Sequence, residues 1–312
     1  MQMIASETGK FLDPATTADG EPRASVDLRA LKTVWLNTGT LCNLTCENCY
    51  IESSPKNDRL VYLSRDEVRT YLQEIDDARL PVREIGITGG EPFMNPDILG
   101  ILEDCLGAGL EVLVLTNAMR PMMKCAEGLN ALRARFGERL TLRVSIDHFD
   151  QALHEEERGR RSWRPTIDGL RWLAAGGFNI HVAGRTRWGD DEAVLRAGFQ
   201  KLFRELSLDL DAEDPQALVL FPEMDAKAEV PEITTACWGI LDVDPADMMC
   251  ATARMIVKRK GAPLPEVVAC TLLPYEADFS LGTSLVGSLD PVALNHPHCS
   301  RFCVLGGGSC SG

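Results

Sequence analysis

From about residue 31 the chain alternates between short β-rich runs and amphipathic stretches of helical length, and nothing else in it limits the fold as strongly. The runs are TVWLNT (33–38), REIGIT (83–88), EVLVLT (111–116), LTLRVSI (140–146), NIHVAGRT (179–186) and ALVLF (217–221). Between them lie SRDEVRTYLQEIDDA (64–78), NPDILGILEDCLGAG (95–109), MMKCAEGLNALRARFG (122–137), TIDGLRWLAAGG (166–177) and DEAVLRAGFQKLFREL (191–206). Strands that alternate with helices predict a parallel sheet joined by right-handed crossovers. Six strands fall two βα units short of a closed eight-fold barrel. The fold expected is therefore α/β: a partial (β/α)6 TIM-like barrel over residues 31–225, with its chemistry at the carboxyl ends of the strands. The polar residues at those ends are Asn37, Thr88 to Glu91, Thr116 and Asn117, Ser145 to Asp147, and Arg185.

Local punctuation agrees. Ser64 with Glu67 three positions on is a capping box. Asn95 before Pro96 suits a cap and first helical turn. Gly107, Gly109, Gly176 and Gly177 suit helix ends. Residues 1–30 read as a polar arm. Residues 226–312 read as a small Cys-rich C-terminal module with one strand pair, ARMIVKRKG (253–261) and EVVACTL (266–272). Its apolar content is thin, so it is expected to lean on the barrel or on metal.

The net charge is −14. Acids cluster in HEEE (154–157), DLDAED (209–214) and DVDPAD (242–247), read as solvated loops and helix faces; the one basic stretch, RGRRSWR (158–164), is short. This balance argues against a nucleic-acid partner. No apolar run reaches the length of a membrane span, and the first thirty residues lack the basic start and apolar centre of an export signal. A cytoplasmic, reducing location is expected, where clustered cysteines bind metal or do redox chemistry rather than form disulfides.

There are 11 cysteines. Cys105 and Cys125 stand alone in helical patterns and are expected to be small buried apolar residues. The others form two groups, Cys42, Cys46 and Cys49 in CNLTCENCY (42–50), and Cys237, Cys250, Cys270, Cys299, Cys303 and Cys310. A Cys-x3-Cys-x2-Cys loop directly after a strand offers three thiolates to one centre. Tetrahedral zinc would want a fourth protein ligand nearby. A [4Fe–4S] cubane held by three thiolates keeps one iron open to a non-protein ligand.

At this point the sequence resembles the radical SAM superfamily, whose signature is such a CxxxCxxC loop after the first barrel strand. GITGGEP (86–92) is similar to that family's GGEP segment, VLTNA (114–118) to its TN motif, and SID (145–147) to the end of its fourth strand. The resemblance implies a [4Fe–4S] cluster on Cys42, Cys46 and Cys49 that binds S-adenosylmethionine. In it Gly89 and Gly90 let the backbone approach the ligand, and Glu91 meets the methionyl amino group. Asn117 lies near the ligand, Ser145 and Asp147 contact ribose and carboxylate, and Arg185 pairs with the methionyl carboxylate. The aromatic residue many members carry before the third cysteine is Asn48 here, with Tyr50 after it, which leaves the adenine contact open. The chemistry implied is reductive cleavage to a 5′-deoxyadenosyl radical that abstracts hydrogen from substrate.

HEEERG (154–159) resembles the HDxxRG stretch of members carrying a SPASM or twitch extension, and the cysteine–hairpin–cysteine stretch from Cys250 to Cys270, followed by LG, resembles the start of one. The resemblance implies an auxiliary [4Fe–4S] cluster on Cys250, Cys270, Cys303 and Cys310, with Cys299 the nearest competitor and a structural zinc as the alternative. A thiol left over, Cys237 or Cys299, is the candidate to return a hydrogen atom to a substrate radical, against the plainer readings of a second cluster or a buried thiol. The activity expected is an oxidoreductase or isomerase acting on a small polar metabolite, because only about thirty polar residues precede the barrel, too few for a peptide-binding core. The alternatives are a maturase modifying a ribosomal peptide or protein side chain and, from another class, a non-catalytic iron–sulfur carrier or sensor. A reducing partner such as flavodoxin or ferredoxin is implied.

Overall fold

A two-residue strand in the N-terminal arm, β1 (Ser25–Val26), leads into the first long strand, β2 (Thr33–Asn37). The structure is a computed structural model describing residues 9–222 and 229–307. Strands and helices then alternate: α1 (Arg65–Asp77), β3 (Glu84–Thr88), α2 (Ile98–Gly107), β4 (Glu111–Thr116), α3 (Arg120–Lys124), α4 (Ala126–Phe136) and β5 (Leu140–Ser145). After these come α5 (Gln151–Arg158), α6 (Trp163–Ala175), β6 (Asn179–Arg185), α7 (Glu192–Glu205) and β7 (Leu218–Phe221). Strands β2 to β7 pair in sequence order, all parallel. The tail adds α8 (Cys237–Leu241), β8 (Ala253–Val257), β9 (Glu266–Val268) and β10 (Val292–Ala293).

The strand pair expected in the tail is present, and it extends the barrel sheet rather than forming its own. β8 lies parallel to β2, with Thr33 opposite Ala253, and β9 pairs antiparallel to β8. The sheet order is β7-β6-β5-β4-β3-β2-β8-β9. The arm is likewise not a loose leader over its described residues. β1 pairs antiparallel with β10, Ala24 N–H donates to Ile233 O at 2.9 Å, and buried Arg23 pairs with Glu232 at 2.5 Å.

Alternation along the parallel strands divides the apolar side chains into two cores. Val34, Leu36, Ile85, Ile87, Val112, Val114, Leu142 and Val144 face the helices in one core. Trp35, Leu113 and Met255 face inward and join a second core with Ala24, Val26, Met248, Phe279 and Phe302. The C-terminal module is thus roofed by the barrel's inner face, which supplies the apolar surface its own sequence lacks.

Three local expectations are corrected. The helix over 122–137 is two, broken at Cys125. HEEE (154–157), read as a solvated loop or helix face, lies in α5 with Glu157 buried, the helix capped by Asp150, whose Oδ1 accepts from Ala152 N at 2.8 Å and Leu153 N at 3.2 Å. Asn95 does not cap α2, which starts two residues later than Pro96. Its side chain instead accepts from Asp97 N at 2.9 Å and donates to Leu63 O at 2.8 Å, tying this turn to the start of α1. The Ser64–Glu67 capping box is present, and Cys105 is fully buried in the helix-side core with Cys125 packed against it.

Candidate functional site

The site is built where the chain leaving β2 crosses the chain leaving β3. Gly90 N–H donates to Gly39 O at 2.8 Å and Glu91 N–H to Leu41 O at 3.1 Å. Gly89 has φ +137°, and a Cβ on Gly90 would lie 2.2 Å from Leu41 O. The two glycines are therefore demanded by the neighbouring backbone itself, whatever ligand they face. This crossing delivers Cys42 to the mouth of the sheet, where its N–H donates to Ser54 O at 3.1 Å.

Cys42, Cys46 and Cys49 are free thiols, and all three line one cavity of about 160 Å³ at the carboxyl ends of the strands. Gly89, Gly90, Asn117, Ser145, Asp147 and Arg185 line the same cavity. Burial pushes the Cys42 thiol up to about 12, opposed first by the Leu44 N–H, which donates to Sγ at 3.4 Å. Burial pushes Cys46 up to about 11, opposed by the Arg158 guanidinium. Such thiols stay protonated until a metal displaces the proton. Among the described residues no three His, Cys, Asp or Glu side chains converge as ligands of a single ion do. Three thiols set around a cavity, rather than on a point, fit a multi-atom cluster better than one zinc ion.

Glu91 sits beneath the turn that carries Asn117. It is 1% exposed and does not line the cavity. Its Oε1 accepts from Thr116 Oγ1 at 2.9 Å and Phe93 N at 3.2 Å, and its Oε2 from Asn117 N at 2.9 Å. Burial pushes this carboxyl up to about 7 against the pull of those donors, the Asn117 N–H first among them. It fixes the turn that carries Asn117, whose Nδ2 donates to Asn43 Oδ1 at 3.0 Å in the cysteine loop.

Two charged residues that line the cavity, Glu157 and Arg158, adjacent at the end of α5, were missed as site residues. Arg158 Nε lies 2.5 Å from Asp147 Oδ2, and its Nη2 donates to Asp147 Oδ1 at 3.1 Å. Buried Glu157 accepts Arg185 Nη1 at 2.8 Å and Arg187 Nη1 at 2.5 Å. It also accepts the Asn48 N–H at 3.0 Å on Oε1 and the Glu47 N–H at 2.9 Å on its backbone oxygen. Arg185 therefore reaches the cavity already paired with a carboxylate. The signal available in the sequence was HEEERG itself, a run of acids and one arginine that reads as a solvated face until the helix turns its last two residues inward.

The five described cysteines of the second group gather in the inner core. Cys299 belongs to it, and Cys237, Cys250, Cys270 and Cys303 pack against it; Cys310 lies outside the described residues. Burial pushes Cys299 up to about 12 and Cys250 up to about 11. Cys270 Sγ accepts from Leu272 N at 3.3 Å, and Cys237 Sγ from Thr234 N at 3.4 Å. Neither Cys237 nor Cys299, the candidate hydrogen donors, lines the cavity. Tyr50, Leu115 and Phe221 line the cavity and also pack against the core that holds these thiols. Phe221 stacks on Phe302 at 6.1 Å between centroids, within the π-helical turn Cys299–Val304. Tyr50, Leu115 and Phe221 are thus shared between the cavity lining and the core that the second cysteine group joins.

The radical SAM superfamily profile matches residues 36–197, half of the chain. The chain belongs to the radical SAM superfamily and is a radical SAM enzyme, a class that binds a [4Fe–4S] cluster and S-adenosylmethionine. Among its relatives, the antilisterial bacteriocin subtilosin biosynthesis protein AlbA of Bacillus subtilis is 31% identical over 143 residues, covering 46% of this chain and 30% of AlbA. The AdoMet-dependent heme synthase of Methanosarcina barkeri is 29% identical over 145 residues, covering 45% of this chain and 38% of that protein. The match therefore spans well under half the length of these curated relatives. The structure of Streptococcus suis SuiB bound to precursor peptide SuiA superposes with a TM-score of 0.59 at 14% identity, over 85% of this chain and 66% of SuiB, which establishes the shared fold. Among the described residues no helix is long and apolar enough to cross a membrane.

Proposed function

We propose that this radical SAM enzyme modifies a peptide side chain by hydrogen abstraction, using a second iron–sulfur centre beside the first. The observation that supports the two-centre reading is that Tyr50, Leu115 and Phe221 both line the cavity holding Cys42, Cys46 and Cys49 and pack against the core that Cys250, Cys270, Cys299 and Cys303 join. Cys42, Cys46 and Cys49 would hold the first cluster, which supplies an open iron for S-adenosylmethionine and an electron to its sulfonium. The chain's own work is placement. The Gly89–Gly90 backbone admits the ligand, Asn117, Ser145 and Asp147 offer polar contacts, and Arg158 presents a buried guanidinium suited to a carboxylate. Tyr50, Leu115 and Phe221 keep water from the reacting atoms.

The second centre would use Cys250, Cys270 and Cys303, with Cys299 or Cys310 as fourth thiolate, and accept the electron left when the substrate radical is oxidised. A flavodoxin- or ferredoxin-type donor would reduce the first. The peptide reading replaces the small metabolite favoured by the sequence because AlbA is named for bacteriocin biosynthesis and SuiB is seen with a precursor peptide. The test is anaerobic reconstitution of the full chain with dithionite and S-adenosylmethionine. 5′-Deoxyadenosine should form in wild type and not in Cys42→Ala. Its formation should rise with short peptides encoded beside the gene, which lose hydrogen by mass. A rise with aminosugars and none with those peptides would overturn the peptide reading.

A further inference from the structure

Ser53 and Ser54 stand side by side in IESSP (51–55), just past the cysteine loop, and the fold treats their hydroxyls in opposite ways. Ser54 Oγ accepts the Asn57 N–H at 3.0 Å and the Lys56 N–H at 3.3 Å, the local turn usual for serine. Ser53 is 5% exposed, and its hydroxyl oxygen has no hydrogen-bond partner among the described residues. It finds no backbone carbonyl, so side-chain-to-backbone bonding does not account for it. A buried hydroxyl left without a partner is costly, and native folds rarely keep one. Ser53 lines the cavity that Cys42, Cys46 and Cys49 line. Three lining residues, Ser53, Asp147 and Arg158, carry a buried polar atom with no hydrogen bond, and the last two meet each other as an ion pair at 2.5 Å. Of the three, only Ser53 has nothing in the protein to meet. Its main chain is already engaged with the same thiols: the Ser53 N–H donates to Cys49 Sγ at 3.3 Å. The hydroxyl belongs to the same short side chain, so it reaches the neighbourhood of that sulfur.

We infer that Ser53 is a hydrogen-bond donor to the first iron–sulfur cluster: its hydroxyl bonds a cluster sulfur beside Cys49, as its N–H bonds the Cys49 sulfur, and the pair raises the cluster's reduction potential. The inference rests on the reading that Cys42, Cys46 and Cys49 hold that cluster, and it adds a residue beyond the three thiols. Anionic sulfur is an acceptor, which gives the orphaned hydroxyl the partner the protein does not supply. Donors to cluster sulfurs favour the reduced, more negative state, so removing one lowers the potential. Ser53 would thus make the cluster easier for an outside carrier to reduce.

The experiment uses the full chain, reconstituted anaerobically, and follows the cluster signal that Cys49→Ala abolishes. Without S-adenosylmethionine, Ser53→Ala should lower the reduced-to-oxidised ratio at a given potential about tenfold, about 59 mV for one electron. Ser53→Thr, which keeps the hydroxyl, should return most of that shift. In the metal-free chain Ser53→Ala should melt no lower than wild type, because there the hydroxyl has no partner to lose. An unchanged potential would overturn the inference, and so would a metal-free melting temperature clearly below wild type, which means an internal partner. An effect confined to S-adenosylmethionine affinity overturns it too, by giving the hydroxyl to the nucleotide. Should Ser53→Ala take up no iron, Ser53→Thr decides: a wild-type potential supports the inference, and the same loss of iron refutes it. Iron and signal unchanged in Cys49→Ala would instead refute the ligand reading on which it rests.

Discussion

Replacing Glu157 by Gln tests whether the cysteine loop is held from α5. The carboxylate is 2% exposed and serves two guanidinium groups, Arg185 at 2.8 Å and Arg187 at 2.5 Å, together with the Asn48 N–H at 3.0 Å. Gln keeps the shape but removes the charge and turns one acceptor into a donor aimed at donors. Breaking a buried pair costs roughly 3–5 kcal/mol. Arg187 is 19% exposed and one amide oxygen remains, so the low end, about 3 kcal/mol, is expected. At about 2 °C per kcal/mol for a chain of this size, the melting temperature should fall by roughly 6 °C. The loop consequence is more specific, because Glu47 and Asn48 sit between Cys46 and Cys49. With one of their two anchors weakened, the first cluster should be lost to chelator faster, while iron in the second group stays. Differential scanning fluorimetry and iron analysis of the anaerobic protein read both. An unchanged melting temperature with unchanged iron release would refute the view that α5 clamps the loop.

Gly90→Ala places a methyl 2.2 Å from Leu41 O, a backbone atom that cannot swing aside, so about 1–3 kcal/mol of overpacking and a halved iron content are expected by colorimetric assay. His154 is fully exposed to no solvent, edge-on to Trp163, and burial holds it down at about 3 against an ordinary 6.5. Its unfolded form therefore binds a proton that the folded form refuses, and stability present above pH 6.5 is lost as pH falls. His154→Leu should flatten that loss by about 2 kcal/mol at pH 5, read by urea unfolding at acid and neutral pH, leaving the similar contribution of His296, also held at about 3. Tyr275→Phe removes the 2.7 Å bond from the phenol to Ile51 O while keeping the ring under Arg59 at 3.8 Å. About 1 kcal/mol of stability and some grip on the first cysteine loop should go, seen as faster bleaching of the cluster absorbance.

What the sequence determined by itself was whatever depends on neighbours along the chain. Strand and helix periods located the six barrel strands β2 to β7, because a buried parallel strand is a continuous apolar run and a helix repeats every three to four residues; that β8 joins them in parallel they did not show. The Cys42–Cys46–Cys49 spacing and the Gly89–Gly90 turn were legible because both are local. Only the tertiary structure decided which charges face inward. HEEERG has the composition of a solvated surface, yet its Glu157 and Arg158 close the cavity wall, because α5 ends against the cysteine loop. Glu91 carries a ligand role by resemblance, and only the tertiary structure shows that its oxygens also accept from Phe93, Thr116 and Asn117. Arg254 sits in a strand whose alternation gives no sign that its guanidinium is buried against the backbone oxygens of Ser288 and Asp290, more than thirty residues on. Pairing of buried charge joins residues far apart in the chain, and its energy depends on separation in space, which sequence spacing does not encode.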